Sequence, residues 1–151
     1  MKRTQSMNFL QIAASAAVLA VAAFSQTLDP AKIRSAPTDM WPSFNGDYSG
    51  RRFSPLTQIT SQNVKQMSLS FVYRINVASS GPFPGSIKST PVVVDGVMFF
   101  TVPDHVWAVD ARTGRELWHF TWPSRGGIHI GNRGVAAMGK WLFFETPDCN
   151  L

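Results

Sequence analysis

The sequence predicts an all-β chain, a piece of a β-propeller made of short antiparallel strands. Three observations carry this reading. From Ser89 onward, short runs of β-branched and aromatic residues alternate with Asp-Gly and Thr-Gly turns, and no amphipathic helix separates them. The chain then repeats itself at an offset of 44 residues, so that "FFTVPD" at 99–104 is echoed by "FFETPD" at 143–148. A period of this size with four strands per repeat is the signature of a propeller blade. Finally, "AVDARTGRELW" at 108–118 places a small residue, two turn formers, a Gly and a Trp at the spacing that a blade-to-blade packing device requires.

The elements follow in order. Lys2 and Arg3 form a short positive start, and "FLQIAASAAVLAVAAF" at 9–24 is apolar, broken only by Gln11 and Ser15. With small residues closing the run, residues 1–25 read as an export signal cleaved after Ser25; the alternative is a membrane anchor, for which the run is short. Residues 26–40, with Pro30 and Pro37, read as a leader or linker. The stretch 41–56 is turn-rich, with Asn45-Gly46 and Ser49-Gly50. Thr60 or Ser61 can cap one helical turn in "QNVKQM". "LSFVYRI" at 69–75 predicts a strand, and Gly and Pro make 76–87 a loop. "STPVVV", "VMFFTV", "VWAVD" and "RELWHFTW" predict four strands, the first two joined across Asp95-Gly96 as a hairpin. After a Gly-rich loop, "GVAAMG", "KWLFFET" and "CNL" restart the series.

Composition narrows the function classes. The 14 Lys and Arg against 9 Asp and Glu give +5, but the basic residues are scattered, which excludes a nucleic-acid footprint. One cysteine, Cys149, permits no internal disulfide, and in an exported protein suggests a partner elsewhere or a buried free thiol. His105, His119 and His129 lack metal-ligand spacing, and Asp104, Asp110 and Asp148 fall at turns, so they read as turn formers and not as metal ligands. Neither a Gly-x-Ser-x-Gly nor a paired-carboxylate site is present in the sequence.

Each position of the 108–118 motif has a physical task. Ala108 keeps a strand slim where sheets approach. Asp110 and Thr113 can bond turn amides, Gly114 supplies positive φ, and Trp118 offers a flat face to a neighbouring blade. The string resembles the tryptophan-docking motif of the pyrroloquinoline quinone (PQQ) dehydrogenases. "WPSFNGDYSGRRFSPLTQI", with its Trp-x-x-x-x-Gly and "SPLTQI", is similar to the entry segment of that family. The likeness runs from about Trp41 to Leu151.

The resemblance implies an eight-bladed propeller, with residues 41–151 as its N-terminal part and 69–75 as the outer strand that closes the ring. Eight repeats of this length need roughly 350 residues. Leu151 falls on the position of Trp107, so the chain is expected to stop inside a third strand as a piece of a larger protein. Such a piece is expected to be inactive alone and to expose apolar sheet faces. The resemblance also implies PQQ, with calcium or a lanthanide bound by ligands beyond residue 151, and no catalytic residue within this segment. It further implies a small alcohol-type substrate, a periplasmic location, and an acceptor such as a cytochrome c or a quinone. No membrane span is expected after signal removal.

Three residues are candidate cofactor contacts by resemblance. Asn132 and Arg133 match the family's Asn-Arg-Gly at the start of an inner strand, and the Arg there reaches the cofactor. A planar cationic fork suits a quinone oxygen or carboxylate; its alternative role is a loop-to-strand salt bridge. Lys88 stands where alcohol-oxidising members carry a Glu, reversing the charge, so it would pair with a PQQ carboxylate if the cofactor binds. His129, before Arg133, could face the cofactor or solvent. Gly127-Ile128 replaces the adjacent cysteines of many members, so their ring disulfide is absent. The competing reading is a propeller that has lost its cofactor and serves as a protein-binding scaffold.

Overall fold

A computed structural model of the chain describes residues 28–75, 87–123 and 132–151. The expected signal peptide, the 76–86 loop and the Gly-rich stretch 124–131, with Gly127-Ile128 and His129, lie outside the described residues.

Two antiparallel sheets stack face to face. The first has strands β1 (Val92–Val94), β2 (Val97–Val102), β3 (His105–Asp110) and β4 (Glu116–Thr121) in chain order, a simple meander. The second is the hairpin β5 (Ala136–Met138) and β6 (Trp141–Phe143). The expected repeat survives into hydrogen-bond register. Val92 pairs Phe99 in the first sheet, and Ala136 pairs Phe143 in the second, each residue displaced by the same 44 positions.

Local chemistry sets the turns. Asp95 and Gly96 both take positive φ, 49° and 76°, the type I′ geometry whose twist matches a two-residue hairpin. Asp110 closes the β3–β4 turn. Its Oδ1 accepts from the amides of Arg112 (3.0 Å) and Thr113 (2.8 Å) and from the Thr113 hydroxyl (3.0 Å). These bonds, the Thr113 amide first, hold its carboxyl below the usual carboxylate range. The β3–β4 ladder shifts register between Ala108 and Val109, which pair with Trp118 and Glu116 and leave Leu117 as the bulged residue. That bulge sets Trp118 directly across from Ala108.

One face of the first sheet buries Val92, Val94, Val97, Phe99, Val106 and Ala108 against Val135, Ala137, Leu142 and Phe144 of the second. This is the main core, and each buried Val or Phe contributes about 1.5–3 kcal/mol. Phe99, Ala108 and Trp118 lie in one row across β2, β3 and β4. The slim Ala108 lets the two rings approach to 5.9 Å between centroids. Trp118 keeps 39 % of its surface exposed, because the second sheet opposes the inner strands and not β4. The opposite face buries Phe100, Val102, Trp107 and Val109 under Tyr73 and Ile75.

Three expectations change. Residues 69–75 form no strand; Tyr73 and Ile75 lie on the face of the sheet, where their backbone has no ladder to join among the described residues. Phe71 covers Gly114 so closely that a Cβ there would sit 2.3 Å from the ring. Residues 149–151 likewise form no strand, since Thr146 N donates to Asn150 O at 2.9 Å and curls the segment into a loop. The stretch read as a linker is docked from Leu28 onward. Leu28 is 2 % exposed, exchanges both backbone hydrogen bonds with Gly139, and is followed by a 3-10 turn at Pro30–Arg34. Its apolar side chain has a core to enter, which the polar composition around it concealed. The expected turn after Thr60 is a single 3-10 turn, Val64–Gln66, with Thr60 and Asn63 bonded reciprocally.

The entry segment locks onto the inner edge. Trp41 exchanges both backbone hydrogen bonds with Val93 of β1. Its indole lies 3.1 Å from where a Cβ on Gly46 would stand, and Gly46 has φ +84°, which explains the Trp-x-x-x-x-Gly spacing.

Candidate functional site

β1 and β5, the inner strand of each hairpin, start at the same rim of the two sheets. The residues leading into them run side by side there. Thr90 N donates to Arg133 O at 3.1 Å, joining the segment that carries Lys88 to the one that carries Arg133. Gly134 permits this approach. It has φ +127°, and a Cβ on it would meet the Thr90 carbonyl oxygen at 3.0 Å.

Asn132 is fully engaged in holding the rim together. Its Oδ1 accepts from the Thr101 hydroxyl (2.5 Å) and the Gly134 amide (2.8 Å), and its Nδ2 donates to the Glu145 carbonyl (2.6 Å). Thr101 is wholly buried, and its backbone exchanges two further bonds with the Ser89 hydroxyl, at 2.8 and 3.1 Å. One chain of hydrogen bonds thus links Ser89, Thr101, Asn132, Gly134 and Glu145 across both sheets. Every buried polar atom in it has a partner, as a stable polar network demands. Thr101 and Ser89 were not singled out by sequence. The available signal was a Thr on the same face as Val97 and Phe99 in an otherwise apolar strand.

Arg133 and Lys88 behave differently from Asn132. Both side chains are exposed, and neither has an ion pair or side-chain hydrogen bond among the described residues. The salt bridge considered for Arg133 therefore has no carboxylate partner among those residues. Two cations, one a planar fork, stand at the mouths of adjacent inner strands on a backbone held by the Asn132 network. This suits a ligand carrying carboxylates or quinone oxygens.

A second cross-sheet contact borders the rim. Trp122 Nε1 donates to both carboxylate oxygens of Asp148, at 3.0 and 3.2 Å, and the Thr146 hydroxyl donates to Asp148 Oδ1 at 2.6 Å. These bonds, Thr146 first, hold the Asp148 carboxyl down at about 2. Asp110 and Asp148 serve as turn formers, in line with their positions in the repeat. Among the described residues no group of three or more His, Cys, Asp or Glu is placed to hold a metal ion. Cys149 is exposed and free.

Known proteins share this fold. The family described as "Glucose/ethanol/alcohol dehydrogenase, beta-propeller domain" matches residues 41–143. The chain is 35% identical over 134 residues to quinohemoprotein alcohol dehydrogenase ADH-IIG of Pseudomonas putida, covering 82% of this chain and 18% of that protein. It is 39% identical over 118 residues to 1-butanol dehydrogenase (cytochrome c) of Thauera butanivorans, covering 74% and 16%. The solved quinohemoprotein alcohol dehydrogenase of Comamonas testosteroni superposes with a TM-score of 0.68 at 32% identity, covering 81% of this chain and 19% of that one. The chain thus spans less than a fifth of the length of these relatives. The match over most of the chain, the 44-residue register and the docking motif make it a member of the PQQ dehydrogenase β-propeller family.

Proposed function

We propose that residues 41–151 are the N-terminal part of the propeller of a periplasmic PQQ-dependent dehydrogenase that oxidises an alcohol or a related substrate. The observation that carries this is the Arg133 guanidinium, exposed without an ion-pair partner among the described residues, on a backbone joined to the Lys88 segment. Family membership supports the cofactor, and relatives named as alcohol dehydrogenases support the substrate class. PQQ, when bound, accepts two electrons and two protons. Arg133 and Lys88 bind and orient its acidic groups, Asn132 holds the segment that presents Arg133, and Gly134 lets the two inner-strand entries close up. A calcium or lanthanide ion takes its ligands from outside these residues, as does the catalytic base. Electrons pass to a cytochrome c or a quinone; the name of the Thauera butanivorans relative favours the former. The apolar run after Lys2 and Arg3 supports export through a signal peptide ending at Ser25.

The test uses the protein expressed from its complete gene, reconstituted with PQQ and calcium and assayed by dye reduction with primary alcohols. Uptake of PQQ at micromolar concentration with alcohol-dependent dye reduction is the expected result. Arg133→Ala is expected to weaken PQQ uptake by about tenfold or more, the loss of one charge-assisted contact, with an unchanged far-UV spectrum. Absence of uptake by the unmodified protein overturns the reading in favour of a propeller that serves as a protein-binding scaffold.

A further inference from the structure

We infer that His105, His119 and Thr121 form a binding site for a borderline divalent transition metal ion, of the Cu²⁺, Ni²⁺ or Zn²⁺ class, separate from the Arg133 rim. β3 and β4 pair so that His105 lies opposite Thr121 and Trp107 opposite His119. All three donors therefore share one face of the sheet, although 13 residues separate the histidines in sequence. Spacing along a single strand or helix does not reveal such a pair, because the ladder between strands creates it.

The geometry has the size of a metal's coordination sphere. His105 Nδ1 and His119 Nε2 face each other at 3.0 Å. The Thr121 hydroxyl lies 3.3 Å from the first and 3.4 Å from the second. Ligands bonded at about 2.0–2.1 Å, at angles between right and tetrahedral, stand roughly 2.9–3.4 Å apart. The three atoms thus form a triangle that one ion can cap, with water completing the shell from the open side, where His119 and Thr121 are exposed.

The rings are held in place before any ion arrives. Trp107 is buried and stacks on His119 at 4.4 Å and 8°, and on His105 at 5.4 Å. Phe100 stacks on the far side of that row, 5.4 Å from Trp107. Packing of this kind locks the rotamers of the side chains that build a site. Proton balance is simple. In the metal-free pair one facing nitrogen carries the N–H. When an ion binds, that ring takes its other tautomer, both facing nitrogens offer lone pairs, and no proton need leave a neutral pair.

The experiment titrates the untagged, chelator-treated full chain with Cu²⁺, Ni²⁺ and Zn²⁺, following heat by calorimetry and the Cu²⁺ signal by electron paramagnetic resonance. One equivalent is expected to bind, Cu²⁺ tightest, with a spectrum showing coupling to two imidazole nitrogens. His105→Gln and His119→Gln are each expected to weaken binding by about tenfold or more, and His129→Gln to leave it unchanged. The spectrum of the unmodified chain does not depend on how a variant folds. Coupling to fewer than two nitrogens, affinity unchanged in the His105→Gln/His119→Gln double variant, or loss of binding on His129→Gln overturns the site.

Discussion

At the scale of single residues, the rim depends on a missing side chain and a shared carboxylate. Gly134 sits at φ +127°, and a methyl on it would stand 3.0 Å from the Thr90 carbonyl oxygen, a backbone atom that cannot swing aside. Gly134→Ala is therefore expected to cost about 1–3 kcal/mol from strain and forced separation of the inner-strand entries. A denaturant titration of the variant beside the unmodified protein checks this; equal midpoints would remove Gly134 from the account. Asp148 yields a pH prediction whose sign follows from its depressed value. Its carboxyl sits at about 2 in the folded chain against an ordinary 3.8. Its stabilising effect is then fully present above about pH 4 and is lost as pH falls through about 2. The advantage of the unmodified protein over Asp148→Asn should shrink across that interval, and an advantage constant with pH would show that the Trp122 and Thr146 bonds carry none of it. The sequence pointed to Asn132, Arg133 and Lys88 as cofactor contacts, and Thr90, two residues past Lys88, donates to the Arg133 carbonyl. The sequence did not show that the Asn132 side chain is consumed by Thr101, Gly134 and Glu145, because those partners lie 31, 2 and 13 positions away and meet only when two sheets stack.

At the scale of elements, strand order and turns were legible because their signals are local. Asp95-Gly96 demanded positive φ, and the run of β-branched and aromatic residues in 97–102 demanded a strand, whose observed span is Val97–Val102. The bulge at Leu117 was not legible, since nothing in "RELWHF" distinguishes a residue paired in a ladder from one looped out of it. Its effect is nevertheless the key to the docking motif, because it brings Trp118 opposite Ala108. Residues 69–75 mark the converse limit: β propensity reports side chains that pack well on a pleated surface, and these pack on the face of a sheet without joining it. The Phe99–Ala108–Trp118 row can be tested as a unit. Ala108 is wholly buried between rings 5.9 Å apart. Ala108→Leu adds three carbons where there is no room, and overpacking of this kind costs about 1–3 kcal/mol. The expected outcome is a lower melting temperature together with red-shifted tryptophan emission as Trp118 is displaced toward water. Ala108→Gly should leave the emission near its starting position. Red shift in neither variant would mean that the small residue does not set the ring contact.

At the scale of the whole molecule, the period of 44 was the most informative feature of the sequence, and it reappears unbroken in the register of the two inner hairpins. Leu28 and the 3-10 turn Pro30–Arg34 escaped notice because they belong to no repeat; their place is set by a partner, Gly139, more than a hundred residues away. The same two-sheet arrangement has a physical consequence. The core between the sheets is covered, but their outer parts are not. Phe120 is 47 % exposed on β4, Trp141 is 62 % exposed on β6, and Met138 and Phe143 beside it are also open. β4 also presents an unpaired edge among the described residues. Apolar patches of this kind, next to a free strand edge, mark surfaces that bind other protein. Residues 26–151 produced alone are therefore expected to bind an environment-sensitive hydrophobic dye and to sediment as species larger than a monomer. Replacing Phe120 with Glu and Trp141 with Lys should reduce both effects together, since each puts a charge at the centre of one patch without touching the buried core. A monomer that binds no dye before these substitutions would show that the exposed faces are not adhesive. A doubly substituted chain that still associates would place the contact elsewhere, on the β4 edge.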